Sequence, residues 1–313
     1  MREPQRVPMA GLPERVTIYE VGPRDGLQNE KAIVPVEVKA AYIARLVAAG
    51  LTAVETTSFV HPDWVPQLAD AEKLLDVLPA VVGAPFAGLR APVLVPNMRG
   101  LARALDRGVR EVAVFGSATE TFAKRNLNRT YAEQFEMIAP VVAGAREAGL
   151  AVRAYVSMCF GDPWEGEVPV AQTVDACARL MRMGATELSL GDTIGVATPG
   201  HVVVLLDALG DAGIGISSVA VHFHDTYGQA LSNTLAALQR GVRTVDASTG
   251  GIGGCPYARS ATGNLATEDL VWQLHGLGIE TGVDLAAVVA TGRWIAGELG
   301  RPVVSRVGRA LGG

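Results

Sequence analysis

Eight short β-rich runs alternate with eight longer helix-like stretches between residues 16 and 278, which predicts an α/β chain folded as a (β/α)8 TIM barrel with an additional C-terminal helix. Two further observations agree with that fold. No linker or composition break divides the 313 residues. Polar residues also gather at the C-terminal ends of the expected strands, the face on which such barrels carry their chemistry. A doubly wound sheet is the main competitor. The expected organisation is a single domain over 1–313, with the barrel over about 16–280 and a helical extension over about 281–313.

The first strand is expected at 16–21, where VTIYEV is rich in β-branched and aromatic residues, and it leads to Arg24 and Asp25. A helix at 35–50 follows. The second strand (52–57) brings Glu55 and Ser58 and precedes a helix at 66–78. The third (91–95) precedes Asn97 and a helix at 98–108. The fourth (110–115) precedes Ser117, with its helix at 131–149. The fifth (151–157) carries Tyr155 and Ser157 and is followed by a helix at 170–183. The sixth (185–190) precedes Asp192. Its helix (199–212) opens on Thr198-Pro199, a capping residue followed by a proline suited to the first helical position. The seventh (217–223) delivers His222 and His224 ahead of a helix at 228–241. The eighth (243–248) runs into a glycine-rich loop with Cys255 and Asn264, and Thr267 with Asp269 opens a helix at 267–278. One more helix is expected over 283–300, and the last residues read as a flexible tail. Gly50, Gly108, Gly149, Gly184 and Gly241 close helices and are expected at positive φ.

Composition narrows the function. Hydrophobic residues make up 49% and mean hydropathy is +0.25, which fits a heavily buried fold. A net charge of −5 without a basic stripe argues against nucleic acid. No apolar run reaches the roughly 18 residues of a membrane helix. Arg2, Arg6 and Arg15 near the start are not followed by an apolar stretch, so no secretory signal is expected. The three cysteines lack framework spacing and point to a reducing, cytoplasmic setting. Arginine outnumbers lysine, and with abundant Ala, Val and Gly this suggests a GC-rich bacterial genome. Cys177 lies in an amphipathic stretch with Val174, Leu180 and Met181 and reads as core; Cys159 is left open.

His222-Phe223-His224-Asp225 is the most informative motif. In a strand, residues two apart share a face, so both imidazoles project together while Phe223 and Asp225 point elsewhere. Two of the five histidines stand here. Paired imidazoles at a strand end suit a metal. His61, His201 and His275 have no partners in the pattern and read as surface residues.

The stretches VGPRDGLQNE (21–30), ETTSFV (55–60), LGDTIG (190–195), HFHDTYGQAL (222–231), GGCPYA (253–258) and GNLATEDL (263–270) together resemble the 3-hydroxy-3-methylglutaryl-CoA lyase family, within the metal-dependent barrel lyases and acyl synthases. RDGLQNE and the GGCPYA loop are specific to the lyase branch, whereas the two-histidine element is shared more widely. The resemblance spans all but the first fifteen residues and the extreme C-terminus. Two departures stand out. Phe223 occupies a position where the family more often has cysteine. Asp162 and Trp164, in MCFGDPWEG (158–166), replace a Cys and a Tyr, which bears on the acyl substrate.

The resemblance implies a lyase that cleaves 3-hydroxy-3-methylglutaryl-CoA to acetyl-CoA and acetoacetate, in leucine degradation and ketone-body formation. It implies a divalent cation, Mg²⁺ ahead of Mn²⁺, on Asp25, His222, His224 and Asn264, and a homodimer. Asp25 or His222 would be the base, Arg24 the stabiliser of developing negative charge, and Cys255 the proton donor. Glu55 and Asp192 would orient the ligands and Arg24. Gln28, Ser58 and Tyr155, with Arg24, would contact substrate. Asp25 and Asn264 are also reasonable turn residues, and Arg24 could simply pair with Glu20 or Glu30. Lys31, Lys124 and Arg125 are basic residues near the mouth. The alternatives are a longer 3-hydroxy-3-alkylglutaryl-CoA, a Claisen-condensing synthase, or a non-catalytic barrel. The Cys255 loop and the lack of a regulatory domain argue against the synthase, and the intact residue set argues against a silent barrel.

Overall fold

Strand β1 (Thr17–Glu20) is buried along Ile18, Tyr19 and Glu20 and pairs in parallel on both sides. In the computed structural model, which describes residues 3–254 and 263–311, the sheet continues through β2 (Ala53–Val54), β3 (Thr57–Ser58), β4 (Val93–Leu94), β5 (Glu111–Ser117), β6 (Ala151–Ser157), β7 (Glu187–Asp192), β8 (Val219–Phe223) and β9 (Thr244–Ala247). The order is β2-β1-β9-β8-β7-β6-β5-β4-β3. β2 and β3 are two parts of the expected second strand, interrupted only at Glu55-Thr56. Glu55 N donates to Glu20 O on one side, and Thr56 N to Pro92 O on the other. The sheet therefore closes through this broken strand into an eight-position barrel, which excludes the doubly wound alternative.

Helices α1 (Val36–Ala48), α2 (Ala71–Val82) and α3 (Met98–Asp106) cover the first part of the barrel. Then come α4 (Glu120–Leu127), α5 (Tyr131–Glu147), α6 (Val170–Met183), α7 (Pro199–Asp211), α8 (Ala230–Gln239) and α9 (Thr267–Gly276). The five closing glycines all sit at positive φ, between 66° and 110°. α7 opens on Thr198 with Pro199 in its first turn, as its sequence predicts.

Three expectations need correction. The segment before α5 is not loop alone. It forms α4, which ends on left-handed Asn128 at φ 53°, after which the Thr130/Glu133 capping box starts α5. The second helix begins at Ala71, later than its pattern suggests, because a short 3-10 turn (Pro66–Leu68) precedes it. The last residues are not a loose tail. After α10 (Leu285–Glu298), the short α11 (Arg306–Ala310) docks on the barrel, with Ser305 Oγ donating to Asp269 at 2.9 Å.

Apolar residues of the strands' outer faces meet the helices in one large core, for example Val152, Ala154 and Val156 of β6. The barrel interior is different. There β6 turns Arg153 and Tyr155 inward, and the fully buried Arg153 lies 3.7 Å from the Tyr19 ring centroid. Barrel interiors are usually filled by branched apolar side chains. Here the filling is ionic, with Arg153 paired to Asp246 and Glu187.

Candidate active site and metal centre

At the C-terminal mouth of the barrel, a cavity of about 450 Å³ is lined by residues that include Arg24, Asp25, Gln28, Tyr155, His222 and His224. Asp25 is carried by the wide Gly22–Gly26 turn that follows β1. Glu20 anchors that turn: its buried carboxylate accepts Gly22 N at 2.9 Å, Thr249 N at 2.9 Å, Thr249 Oγ1 at 2.6 Å and Thr267 Oγ1 at 2.8 Å. One carboxylate thus ties the Arg24-Asp25 turn to the start of the glycine-rich loop and to α9.

His222 is the penultimate residue of β8, and His224 follows the strand on the same side, as strand alternation requires. Their Nε2 atoms face each other at 3.3 Å. Phe223 points outward to Phe160, with ring centroids 6.2 Å apart. Asp225 turns away to Arg306 Nη1 at 2.5 Å. Asp25, His222 and His224 can place one donor atom each within 4.8 Å of one another.

Asn264 completes the group. Its Nδ2 donates to Asp25 Oδ2 at 2.8 Å, while its Oδ1 is buried without a partner among the described residues. Gly253 makes this approach possible: a Cβ there would lie 2.7 Å from Asn264 Nδ2, and its φ of +109° disfavours any side chain. The Nε2 atoms of the two imidazoles lie 3.3 Å apart beside a carboxylate, and the Asn264 amide oxygen has no partner among the described residues. A hard divalent cation satisfies all four, so the residues fit the metal that the sequence implies.

Electrostatics agree. Burial opposes charge on Asp25, but the adjacent Arg24 guanidinium, then His222 and the Asn264 hydrogen bond, bring its pKa down to about 2. Burial and the neighbouring His222 push His224 down to about 4, which keeps its imidazole neutral and able to accept a cation. Burial also lowers His222, yet the Asp246 carboxylate at its Nδ1, 3.1 Å away, leaves its pKa raised.

Arg24 pairs with neither Glu20 nor Glu30. Its Nε donates to Glu55 Oε2 at 2.6 Å and its Nη1 to Asp25 Oδ1 at 2.8 Å. Nη2 has no partner among the described residues and belongs to a side chain that lines the cavity. Tyr155 donates to the same Glu55 oxygen at 2.9 Å and offers its ring to the guanidinium, 5.1 Å from the centroid. Burial works against the charge, but Glu55 and Asp25 outweigh it and the Arg24 pKa is raised.

Asp192 and Ser58, also expected at the site, do not line the cavity. Asp192 does not bond Arg24; its carboxylate accepts Val196 N at 2.9 Å and Ala197 N at 3.0 Å and shapes the loop after β7. Burial, partly offset by those N–H groups, pushes its pKa up to about 6. Ser58 is fully buried and accepts Val60 N at 3.1 Å, so its hydroxyl serves a turn. Gln28 does line the cavity, with Oε1 unpartnered. Cys255 lies outside the described residues; Gly254, just before it, lines the cavity. Cys159 and Cys177 are both buried.

Asp162 is buried and accepts Thr119 Oγ1 at 2.6 Å and Trp164 N at 2.7 Å. Neither it nor Trp164 lines the cavity, so this departure acts on a rim loop. Arg125 stacks on Trp164 at 4.4 Å, and Lys124 pairs with Glu120 at 2.6 Å. His61, read as an ordinary surface residue, lines the mouth beside Trp64.

Sequence reading missed Asp246, Arg153 and Glu20, which stand inside strands as isolated charges. The one available signal was a charge at an inward strand position.

The HMGL-like family model matches residues 15–295. The mitochondrial hydroxymethylglutaryl-CoA lyase of Rattus norvegicus is 50% identical over 302 residues, which cover 96% of this chain and 91% of the relative. The crystal structure of hydroxymethylglutaryl-CoA lyase from Pseudomonas aeruginosa superposes with a TM-score of 0.92 at 44% identity, covering 96% of this chain and 98% of that one. A lyase from Acinetobacter baumannii, solved with coenzyme A and 3-methylmalate, superposes at 0.88 with 31% identity and 97% coverage of both chains. This chain belongs to the HMGL-like family.

Proposed function

We propose that this protein cleaves 3-hydroxy-3-methylglutaryl-CoA to acetyl-CoA and acetoacetate with the help of a divalent cation, Mg²⁺ or Mn²⁺. The observation that carries this reading is the convergence of Asp25, His222 and His224 beside the Arg24 guanidinium in one cavity, with Asn264 bonded to Asp25 and its Oδ1 unpartnered among the described residues.

The reaction breaks the C2–C3 bond. The C3 hydroxyl loses its proton, its oxygen becomes the ketone of acetoacetate, and the C2–C3 electron pair leaves as the enolate of acetyl-CoA. The cation, when bound, lowers the pKa of the C3 hydroxyl and fixes its orientation. Asp25 is the proposed base. His222 has Nδ1 engaged by Asp246 and Nε2 directed at the ligand cluster, whereas a carboxylate retains acceptor positions beside its bonds to Arg24 and Asn264. Arg24 Nη2, held by the Glu55 and Asp25 anchors, meets the thioester oxygen where negative charge develops. Cys255 returns a proton to C2 and completes acetyl-CoA.

The test is acetoacetate release from 3-hydroxy-3-methylglutaryl-CoA with Mn²⁺ or Mg²⁺, then with chelator, for wild type and Cys255→Ala. Turnover that needs the cation and collapses in the variant is expected. A folded, cation-loaded protein without turnover refutes the substrate and directs attention to longer 3-alkyl homologues.

A further inference from the structure

We propose that Arg153 and Asp246 form a buried positioning pair beneath the site, which holds the proton of His222 on Nδ1 and leaves its Nε2 bare toward Asp25 and His224. Neither residue lines the cavity. The inference rests on the metal reading proposed above.

Asp246 stands opposite His222 in the β8/β9 register. Its two oxygens have separate duties. Oδ1 is taken by Arg153 Nη2, and Oδ2 accepts Ser189 Oγ at 2.9 Å and faces His222 Nδ1 at 3.1 Å. Arg153 is itself fixed, by Glu187 Oε1 at 2.5 Å and by the face of Tyr19. A guanidinium can only donate, and a carboxylate beside it has no proton to give. His222 therefore donates from Nδ1, and the neutral ring's lone pair lies on Nε2, which is directed at His224.

His224 has no such support, for its Nδ1 is buried without a partner among the described residues. The two histidines are thus unequal: His222 is locked in one tautomer and one ring orientation, whereas the ring nitrogens of His224 meet only His222 among the described residues. Stability does not account for the pair, since two charges at 0% and 1% exposure hold a fold no better than apolar residues of the same size. Holding a carboxylate at one angle against a ligand histidine is a task that apolar residues cannot perform.

Asp246→Asn is the decisive variant. An amide has one acceptor oxygen. With that oxygen held by Arg153, the NH2 group faces His222 Nδ1, and the ring proton must move to Nε2. The full-length protein is first studied free of metal, by ¹⁵N NMR of the His222 ring. Wild type is expected as the Nδ1–H tautomer and Asp246→Asn as Nε2–H. Mn²⁺ is then titrated and followed by electron paramagnetic resonance and by the Mn²⁺-induced rise in unfolding temperature. Affinity is expected to fall about 10–100-fold in Asp246→Asn, with that rise shrinking accordingly.

A variant that keeps the Nδ1–H tautomer, or binds Mn²⁺ as wild type does, overturns the inference. So does a variant whose metal-free unfolding temperature drops while the Mn²⁺-induced rise is preserved, because that is a structural role. If Asp246→Asn does not fold, Arg153→Lys replaces it. It keeps the charge without the planar fork, and unchanged Mn²⁺ affinity there overturns the proposal equally. Wild type that takes up no Mn²⁺ refutes the metal reading instead, and the tautomer comparison, which needs no metal, still decides this inference.

Discussion

Glu55→Gln tests how the cavity holds its positive charge. Glu55 is fully buried at the break between β2 and β3, where Oε2 receives both Arg24 Nε (2.6 Å) and Tyr155 Oη (2.9 Å) and Oε1 has no partner among the described residues. Glutamine has the same size, and its oxygen can occupy the Oε2 position. Its NH2 group then fills the Oε1 position, where no acceptor waits. Turning a charge-assisted bond into a neutral one removes about 1 kcal/mol, and a buried unsatisfied NH2 costs about 1–3 kcal/mol. Asp25 still pairs with Arg24, so the loss stays below the roughly 3–5 kcal/mol of a fully orphaned buried charge. Urea unfolding is expected to show about 2–4 kcal/mol of destabilisation on this accounting. Losing an oxyanion donor outright costs about 10²–10³ in kcat. A guanidinium that keeps one of its two anchors is expected to lose about 10–100-fold of that, with KM nearly unchanged. The assay is kcat and KM for 3-hydroxy-3-methylglutaryl-CoA at saturating Mn²⁺. A Glu55→Gln enzyme with wild-type kcat would mean that Glu55 does not position Arg24 for the reaction.

Three other predictions follow from the same geometry. Gly253→Ala places a Cβ 2.7 Å from Asn264 Nδ2 at a φ of +109°; Mn²⁺ affinity is expected to fall at least tenfold, with about 1–3 kcal/mol of strain, and unchanged binding in a Mn²⁺ titration would remove Asn264 from the ligand set. Burial pushes Glu268 up to about 8, and its oxygens sit 3.0 Å from Gly250 N. A carboxyl whose folded pKa is raised contributes stability that is full below its unfolded value near 4.5 and is lost as pH rises through about 8. Denaturant unfolding at pH 5, 7 and 9 should therefore show wild type losing a few kcal/mol relative to Glu268→Gln, and parallel pH profiles would refute the raised pKa. Arg306→Met cuts the tie from α11 to Asp225 beside the ligand histidine. The pair is half in solvent, so about 0–1 kcal/mol of stability and a few-fold loss in kcat/KM are expected, and no change in either would return this segment to the status of a loose tail.

The barrel was readable because its signals are local. Strand runs, helix spacing and glycine helix ends each depend on a few adjacent residues, and all five glycine ends lie where the pattern puts them. The pairing of His222 and His224 was readable for the same reason, since alternation in a strand fixes which side chains share a face. Local pattern does not say what a polar side chain at a strand end will bond. Asp192 and Ser58 both stand at strand ends, and their oxygens accept backbone N–H groups of the loops that follow them.

Arg153, Asp246 and Glu20 show the opposite case. A single charge in a strand carries no sign of what it meets, and Asp246 reaches Arg153 across 93 residues of chain. Sequence alone determined the repeating units, the face on which chemistry collects and the residue types brought there. Tertiary structure decided which carboxylate holds which guanidinium and which carboxylate faces Nδ1 of His222. The reason is physical: periodicity is written in neighbours along the chain, whereas the protonation and orientation of a buried polar group are set by whatever the closed barrel places against it.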